Sequence, residues 1–256
     1  MYGGRQRVRT LLAAATLAGA AVVAPSTASA YGEHFEQLVD VQSAHTLPRA
    51  AYSLGMRVVP DGGVLLGLRV GITPYLHIGL SYGAGNVVGS GEPDWNDRVE
   101  LEVKLRLAED GQFGPVPSIA VGYDSRGYGR QLHDGSYEKP SQGLFIAASK
   151  TLPFSEFWEA HAGVSRTLEF PQVRPDFFLG LTARLSEEFS VILEYQLAAE
   201  AAPEDRESKA GYLNAGLRWV FVGQFELDLY FRNLAAPSDS AERSSRSIGF
   251  AFYDSF

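Results

Sequence analysis

The sequence predicts an all-β chain, a transmembrane antiparallel up-and-down β-barrel of about 12 strands, and three observations carry that expectation. Strict alternation recurs along the chain, as in "DRVELEVKLRL" (97–107), where Val99, Leu101, Val103, Leu105 and Leu107 share one face and Arg98, Glu100, Glu102, Lys104 and Arg106 the other. A period of two marks a strand with one buried face. The connections between such segments alternate long and short, and the faces opposite the apolar ones carry charges of nearly balanced sign.

The first element is not part of the fold. Arg5, Arg7 and Arg9 precede an apolar run, Leu11 to Ala24, that ends in "STASA", the pattern of a secretory signal peptide cleaved after Ala28-Ser29-Ala30. The expected division is a signal peptide over 1–30, a short periplasmic or plug segment over 31–47, and an outer-membrane barrel over 48–256. The stretch "EHFEQLVDVQ" places Phe35, Leu38 and Val39 at helical spacing, which predicts a helical turn or two before the first strand. No cysteine is present, so disulfides and thiolate metal sites are excluded and an N-terminal lipid anchor is not expected.

Twelve alternating segments follow, at 50–59, 63–72, 75–84, 97–108, 116–124, 142–151, 157–167, 176–185, 188–199, 209–221, 224–233 and 245–255. Their apolar faces are consistent, for example Val64, Leu66, Leu68, Val70 and Ile72, or Phe225, Leu227, Leu229 and Phe231. In 142–151 Leu144 and Ile146 compete with Phe145 and Ala147 for the apolar face, which leaves the register open. The connections at 85–96, 125–141, 168–175, 200–208 and 234–244 are long, and those at 73–74, 109–115, 152–156, 186–187 and 222–223 shorter. Short periplasmic turns, long external loops and an even strand number belong together in outer-membrane barrels. The tight "PDG" at 60–62 is the exception, a short turn on the long-loop side.

Three features favour a membrane barrel over a periplasmic β-sandwich or a lipocalin-like cup. The sequence closes on "SIGFAFYDSF", where Ile248, Phe250 and Phe252 share one face and Phe256 comes last; Phe250, Phe252 and Phe256 resemble the C-terminal assembly signal read by the barrel-assembly machinery, with Asp254 departing from its usual apolar preference. Outward aromatics gather near strand ends, with Trp158, Phe189, Trp219, Phe221 and Phe225 on the short-turn side and Tyr82, Tyr123, Phe177 and Phe231 on the other. Two such girdles suit the headgroup levels of a bilayer. The second face carries Arg57, Arg69, Lys104, Arg106, Arg184, Arg218 and Arg232 against Glu100, Glu102, Asp124, Glu159, Asp176, Glu194, Glu226 and Asp228. In a lumen these can pair; on lipid each arginine or lysine costs about 2–4 kcal/mol at the midplane. Val99 to Leu107 therefore face lipid.

With these strands in place, "TLPRAAYSLGMRVVPDGGVLLGLRVGITPYLHIGLSYGAGNVVGSGEPDWN", "PSIAVGYDSRGYG", "AASKTL" and "LNAGLRW" resemble a group of bacterial outer-membrane barrels, some of them similar to an exopolysaccharide-associated (YjbH-like) outer-membrane protein. The resemblance runs from about residue 38 to 233 and implies location and fold. It carries no active-site residue onto this chain, and polysaccharide export is its implication alone.

Charge and pattern narrow the function classes. Cleavage at Ala30 removes three arginines from a chain at −8, leaving about 226 residues near −11. With no basic cluster outside the signal, nucleic acid is not an expected partner. No apolar segment after the signal is long enough for a transmembrane helix. A surface hydrolase of this architecture needs a Ser–His pair on its outer wall. His34 and His45 precede the barrel, His133 lies in a long loop, and His77 and His161 project inward without the expected serine beside them in the chain, so both read as lumenal hydrogen-bonding groups. Asp124 and Tyr128 in "GYDSRGYGR" read as ordinary turn chemistry, the spaced glycines of "GAGNVVGSG" open no helix and cannot cradle phosphate, and "PEDRES" (203–208) is a solvated loop.

The expected protein is a non-enzymatic outer-membrane barrel, a narrow channel for small polar solutes or a component of envelope polysaccharide export. The alternative is a lipid or glycan hydrolase. Neither metal nor cofactor is expected, and the expected partners are outer-membrane lipid, the barrel-assembly machinery, and a small polar solute or polysaccharide.

Overall fold

The computed structural model describes residues 35–132, 134–169, 174–197, 211–235 and 244–256. The signal-peptide reading, His34, His133 and "PEDRES" lie outside them.

The described strands are β1 (Ala51–Val58), β2 (Val64–Thr73), β3 (Leu76–Gly85), β4 (Asp94–Trp95), β5 (Glu100–Ala108), β6 (Ser118–Asp124), β7 (Tyr128–Gln131), β8 (Tyr137–Lys139), β9 (Gly143–Leu152), β10 (Ser155–Arg166), β11 (Asp176–Arg184), β12 (Phe189–Gln196), β13 (Tyr212–Phe221), β14 (Phe225–Arg232) and β15 (Ser245–Ser255). All but β4, β7 and β8 form one closed antiparallel ring of 12. Chain neighbours pair around it, and β1 against β15 closes it, Ala51 opposite Ser255 and Val58 opposite Ile248. Closure leaves no unpaired strand edge. The short β4 extends β3, and β7 with β8 makes a hairpin inside the 125–142 connection. Both are too brief to leave a periodic trace in the sequence.

The side-chain alternation is inverted relative to a water-soluble domain. On β5, Glu100, Glu102 and Lys104 are buried while Leu101 and Leu105 are 43% and 41% exposed. The same holds on β3, with His77 and Ser81 inside and Ile78 and Leu80 outside, and on β14, with Glu226, Asp228, Tyr230 and Arg232 inside and Leu229 outside. An apolar outer wall over a charged interior fits hydrocarbon outside and a polar lumen within. Aromatics mark the short-turn rim, where Phe189, Trp219, Phe221, Phe225 and Phe252 contact one another in sequence with centroids 5.0–5.6 Å apart. At the long-loop rim Tyr82 stacks on Trp95 at 5.9 Å.

The open register of 142–151 has a definite solution. Phe145, Ala147 and Ser149 point inward, and Leu144 and Ile146 outward. Gly122 on β6, directly opposite Phe145, decides it: a Cβ there would lie 2.5 Å from the Phe145 ring, so only glycine lets that ring lie across the inner wall.

Leu101→Arg tests the outer-wall assignment. Next to lipid the substitution should lower unfolding stability by about 2–4 kcal/mol, measured by urea titration in vesicles. On a solvated barrel an exposed leucine would exchange for arginine within about 0.5 kcal/mol.

Candidate functional site in the barrel lumen

Residues 35–47 occupy the lumen. The helical turn expected from Phe35, Leu38 and Val39 does not form; the segment is a tight antiparallel hairpin. Gln37 bridges Gln42, the Leu38 N–H donates to the Val41 carbonyl at 2.9 Å, and the Ser43 N–H donates to the Glu36 carbonyl at 3.2 Å. Surrounding chemistry overrides local spacing here. The Glu194 carboxylate of β12 accepts the consecutive backbone N–H groups of Val39, Asp40 and Val41 at 3.0, 2.8 and 3.0 Å. A cradle of N–H groups around one anion holds the tip of the turn. Its apolar side chains join the wall in one cluster: Phe35, Leu38, Val39 and Val41 pack with Phe145, Ala147, Phe178, Ile192 and Tyr230. Leu38 fills a notch at Gly180, where a Cβ would lie 2.3 Å from its Cδ1.

The base of the hairpin lies at the short-turn rim and its tip near the long-loop rim. At the base, the Leu47 N–H donates to His77 Nδ1 at 3.2 Å, the Thr46 hydroxyl donates to the Pro74 carbonyl at 3.0 Å, and His45 Nε2 lies 2.7 Å from Glu159 Oε1. Midway, the Ala44 N–H donates to Ser149 Oγ at 3.0 Å, and Lys104 donates to the carbonyls of Glu36 and His45. Higher up, the Gln42 amide donates to Asp124 at 2.8 Å, while the Gln37 side-chain oxygen accepts from Arg69 and Arg126 at 2.8 Å each.

The tip carries Asp40, buried among cations. Its Oδ1 accepts from Arg232 at 2.6 Å and lies 3.5 Å from Arg57, and its Oδ2 accepts from Lys139 at 2.6 Å. Burial alone would push this carboxyl up; Arg232, Lys139 and Arg57 outweigh it and hold the group well below the usual carboxylate range.

Most of the charged positions expected in the lumen are there and paired. Arg69 Nε donates to Glu102 at 2.7 Å, and His77 Nε2 lies 3.1 Å from the same carboxylate. Arg218 donates to Asp228 at 2.8 and 3.1 Å and lies 3.1 Å from Glu226. Glu100 accepts from Arg98 at 2.8 Å and from Tyr137 at 2.7 Å. Arg106 and Arg184 stand apart from these networks at the short-turn rim, donating to the carbonyls of Pro74 at 3.0 Å and Glu156 at 3.4 Å. At the C-terminus Phe250 faces outward, Phe252 packs on Phe225, and the exposed Phe256 ring stacks on Tyr52 at 5.3 Å.

The fold is similar to that of porins of known structure. The chain superposes on a structure titled "KdgM porin" with a TM-score of 0.50 at 9% identity, covering 79% of this chain and 98% of that one. A second, "KdgM porin in complex with disordered oligogalacturonate", gives 0.50 at 7% identity over the same shares. The Acinetobacter baumannii outer membrane protein Omp33 gives 0.40 at 9%, covering 80% of this chain and 97% of that one. The likeness is one of fold. No protein-family model and no curated protein sequence matches the chain.

Two sequence readings need correction. His161 does have a serine partner: Ser149 lies directly opposite on β9, its Oγ 2.8 Å from His161 Nδ1. Strand pairing brought together residues that the linear sequence keeps 12 apart. The pair lies under the hairpin, where Ser149 already receives the Ala44 N–H and His161 Nε2 sits 3.1 Å from Thr182, so the outer wall has no access to it. The second concerns "GYDSRGYGR", which makes the turn expected of it, the Arg126 N–H donating to Asp124 Oδ1 at 2.9 Å, yet does more than turn the chain. It folds inward, so that Asp124 is buried, the Tyr128 hydroxyl meets the Gln37 amide, and the guanidinium groups of Arg57 and Arg232 lie 5.1 and 4.7 Å from the Tyr128 ring.

Two spaces remain. A void of about 80 Å³ beside the hairpin is bordered by Gln37, Arg57, Arg126, Arg218 and Glu226. Between the tip and the long-loop rim, a vestibule of about 720 Å³ is lined by Asp40, Tyr128, Tyr137, Lys139, Asn214 and Arg232, among others. Among the described residues no group of three or more acidic or histidine side chains is arranged to hold a metal ion.

Proposed function

We propose that this protein is a non-enzymatic outer-membrane channel for small polar solutes, held shut by its own hairpin at residues 35–47. In this reading the short-turn rim faces the periplasm, from which the hairpin enters. The single observation that carries the reading is the bonding of the hairpin. Its backbone-to-backbone hydrogen bonds among the described residues stay within it, and it meets the wall through side chains. The strand ring is complete without it. A segment held by ion pairs and hydrogen bonds can exchange those partners for water, which a strand of the ring cannot do without breaking the sheet. The porin fold supports the same reading. Polysaccharide export stays outside this reading.

The test removes the tip anchors. In Asp40→Ala/Glu194→Ala the hairpin loses several charge-assisted hydrogen bonds, each contributing about 1.5–3 kcal/mol. Influx of a neutral sugar into proteoliposomes should rise at least tenfold over the natural chain. If this variant and a hairpin-deleted chain are both as impermeable as the natural protein, the channel reading is wrong.

A further inference from the structure

The Asp40 carboxylate sits where a ligand would. It projects from the hairpin tip into a pocket built by two strands of the wall and one connection, Arg57 on β1, Arg232 on β14 and Lys139 on β8, and it borders the vestibule. The two nearby acids do not saturate these cations. Glu194 is committed to the backbone N–H groups of residues 39–41 and to Asn214 at 2.7 Å. Asp40 is thus the acid in contact with all three cations, and the buried Arg232 Nε meets no acceptor among the described residues. The adjoining space of about 720 Å³ admits a small organic molecule, and Asn96, Asn214 and Tyr212 supply polar lining.

We propose that the Arg57–Lys139–Arg232 cluster is a binding site for small carboxylate solutes, that Asp40 is a tethered stand-in for such a solute, and that a solute carboxylate entering the vestibule displaces it and loosens the hairpin tip, which Glu194 still holds. The displacement half of this inference rests on the channel reading; the binding half does not. A tethered carboxylate competes at a high effective concentration, so the natural chain binds free carboxylates weakly, and removing the internal competitor exposes the full affinity of the site. The hairpin and the solute then exclude each other at one place, and the presence of solute favours the open arrangement.

The experiment is calorimetric titration of the refolded full chain in detergent with succinate, and with succinamide as its neutral analogue. Asp40→Asn should bind succinate at least tenfold more tightly than the natural chain, Asp40→Asn/Arg232→Gln should lose that gain, and succinamide should bind to none of them. Heat-dependent gel migration establishes that each variant is folded, and Asp40→Ser replaces the asparagine variant if that one is not. A folded variant lacking the Asp40 carboxylate that takes succinate no better than the natural chain, or no better than succinamide, overturns the proposal. Binding is read without conductance, so the two ideas fail separately. Tight succinate binding with a silent hairpin-deleted barrel removes the channel and leaves the site, whereas a conducting barrel without succinate binding does the reverse.

Discussion

Deletion of residues 35–47 should convert a barrel that passes almost no current into one with steady, weakly selective conductance in planar bilayers. The hairpin fills the lumen from the short-turn rim almost to the other, so its removal changes the conducting path more than any substitution could. The wall left behind is charged and wettable, lined by Arg57, Arg69, Lys104, Arg218 and Arg232 against Glu100, Glu102, Glu194, Glu226 and Asp228. Acids and bases are nearly matched, so little discrimination between cations and anions is expected. Stability should fall as well. Phe35, Leu38, Val39, Val41 and Leu47 are buried in the natural chain, each such burial contributing about 1.5–3 kcal/mol, and Phe145, Phe178 and Ile192 would meet water once they are gone. The ring of strand pairs is untouched, so the deleted chain should still migrate as a folded barrel before heating, with its heat transition at a lower temperature. A folded, deleted barrel with no conductance would show that the wall side chains close the lumen unaided.

The barrel was legible in the sequence because its strands obey one simple rule. Alternation sets the face, the cost of charge against lipid sets which face is outside, and loop length sets the end. Segments such as 97–107 carry all this locally. The hairpin was not legible in the same way. Phe35, Leu38 and Val39 have helical spacing, and what makes them an extended hairpin is a carboxylate more than 150 residues away, Glu194, together with a notch at Gly180. Long-range partners of this kind leave no local periodicity. The Ser149–His161 pair was hidden for the same reason, since register between β9 and β10 creates it. The balanced lumenal charges were visible, whereas their focus on one aspartate of the hairpin, Asp40, depended on where the tip comes to rest.

Arg218→Met should be the most damaging single substitution in the lumen wall, lowering unfolding stability in vesicles by about 3 kcal/mol. Its guanidinium holds two neighbouring carboxylates, bonding Asp228 at 2.8 and 3.1 Å and lying 3.1 Å from Glu226, and its charge rests 4.5 Å from the Phe35 ring of the hairpin. Removing one partner from a buried ion network strands the other charges, at a typical cost of about 3–5 kcal/mol. The low end applies because the void of about 80 Å³ beside this network gives water a way to reach the stranded acids. The triple variant Arg218→Met/Glu226→Gln/Asp228→Asn separates stranded charge from lost packing. Its amide oxygens still accept from the Tyr253 and Tyr230 hydroxyls, as the carboxylates do, and no net charge is left without a counter-ion. More than half of the lost stability should return in it. A triple variant as unstable as the single one would assign the loss to the shape of the arginine, its stacking on Phe35 and its contacts along β14, and not to the carboxylates it neutralises.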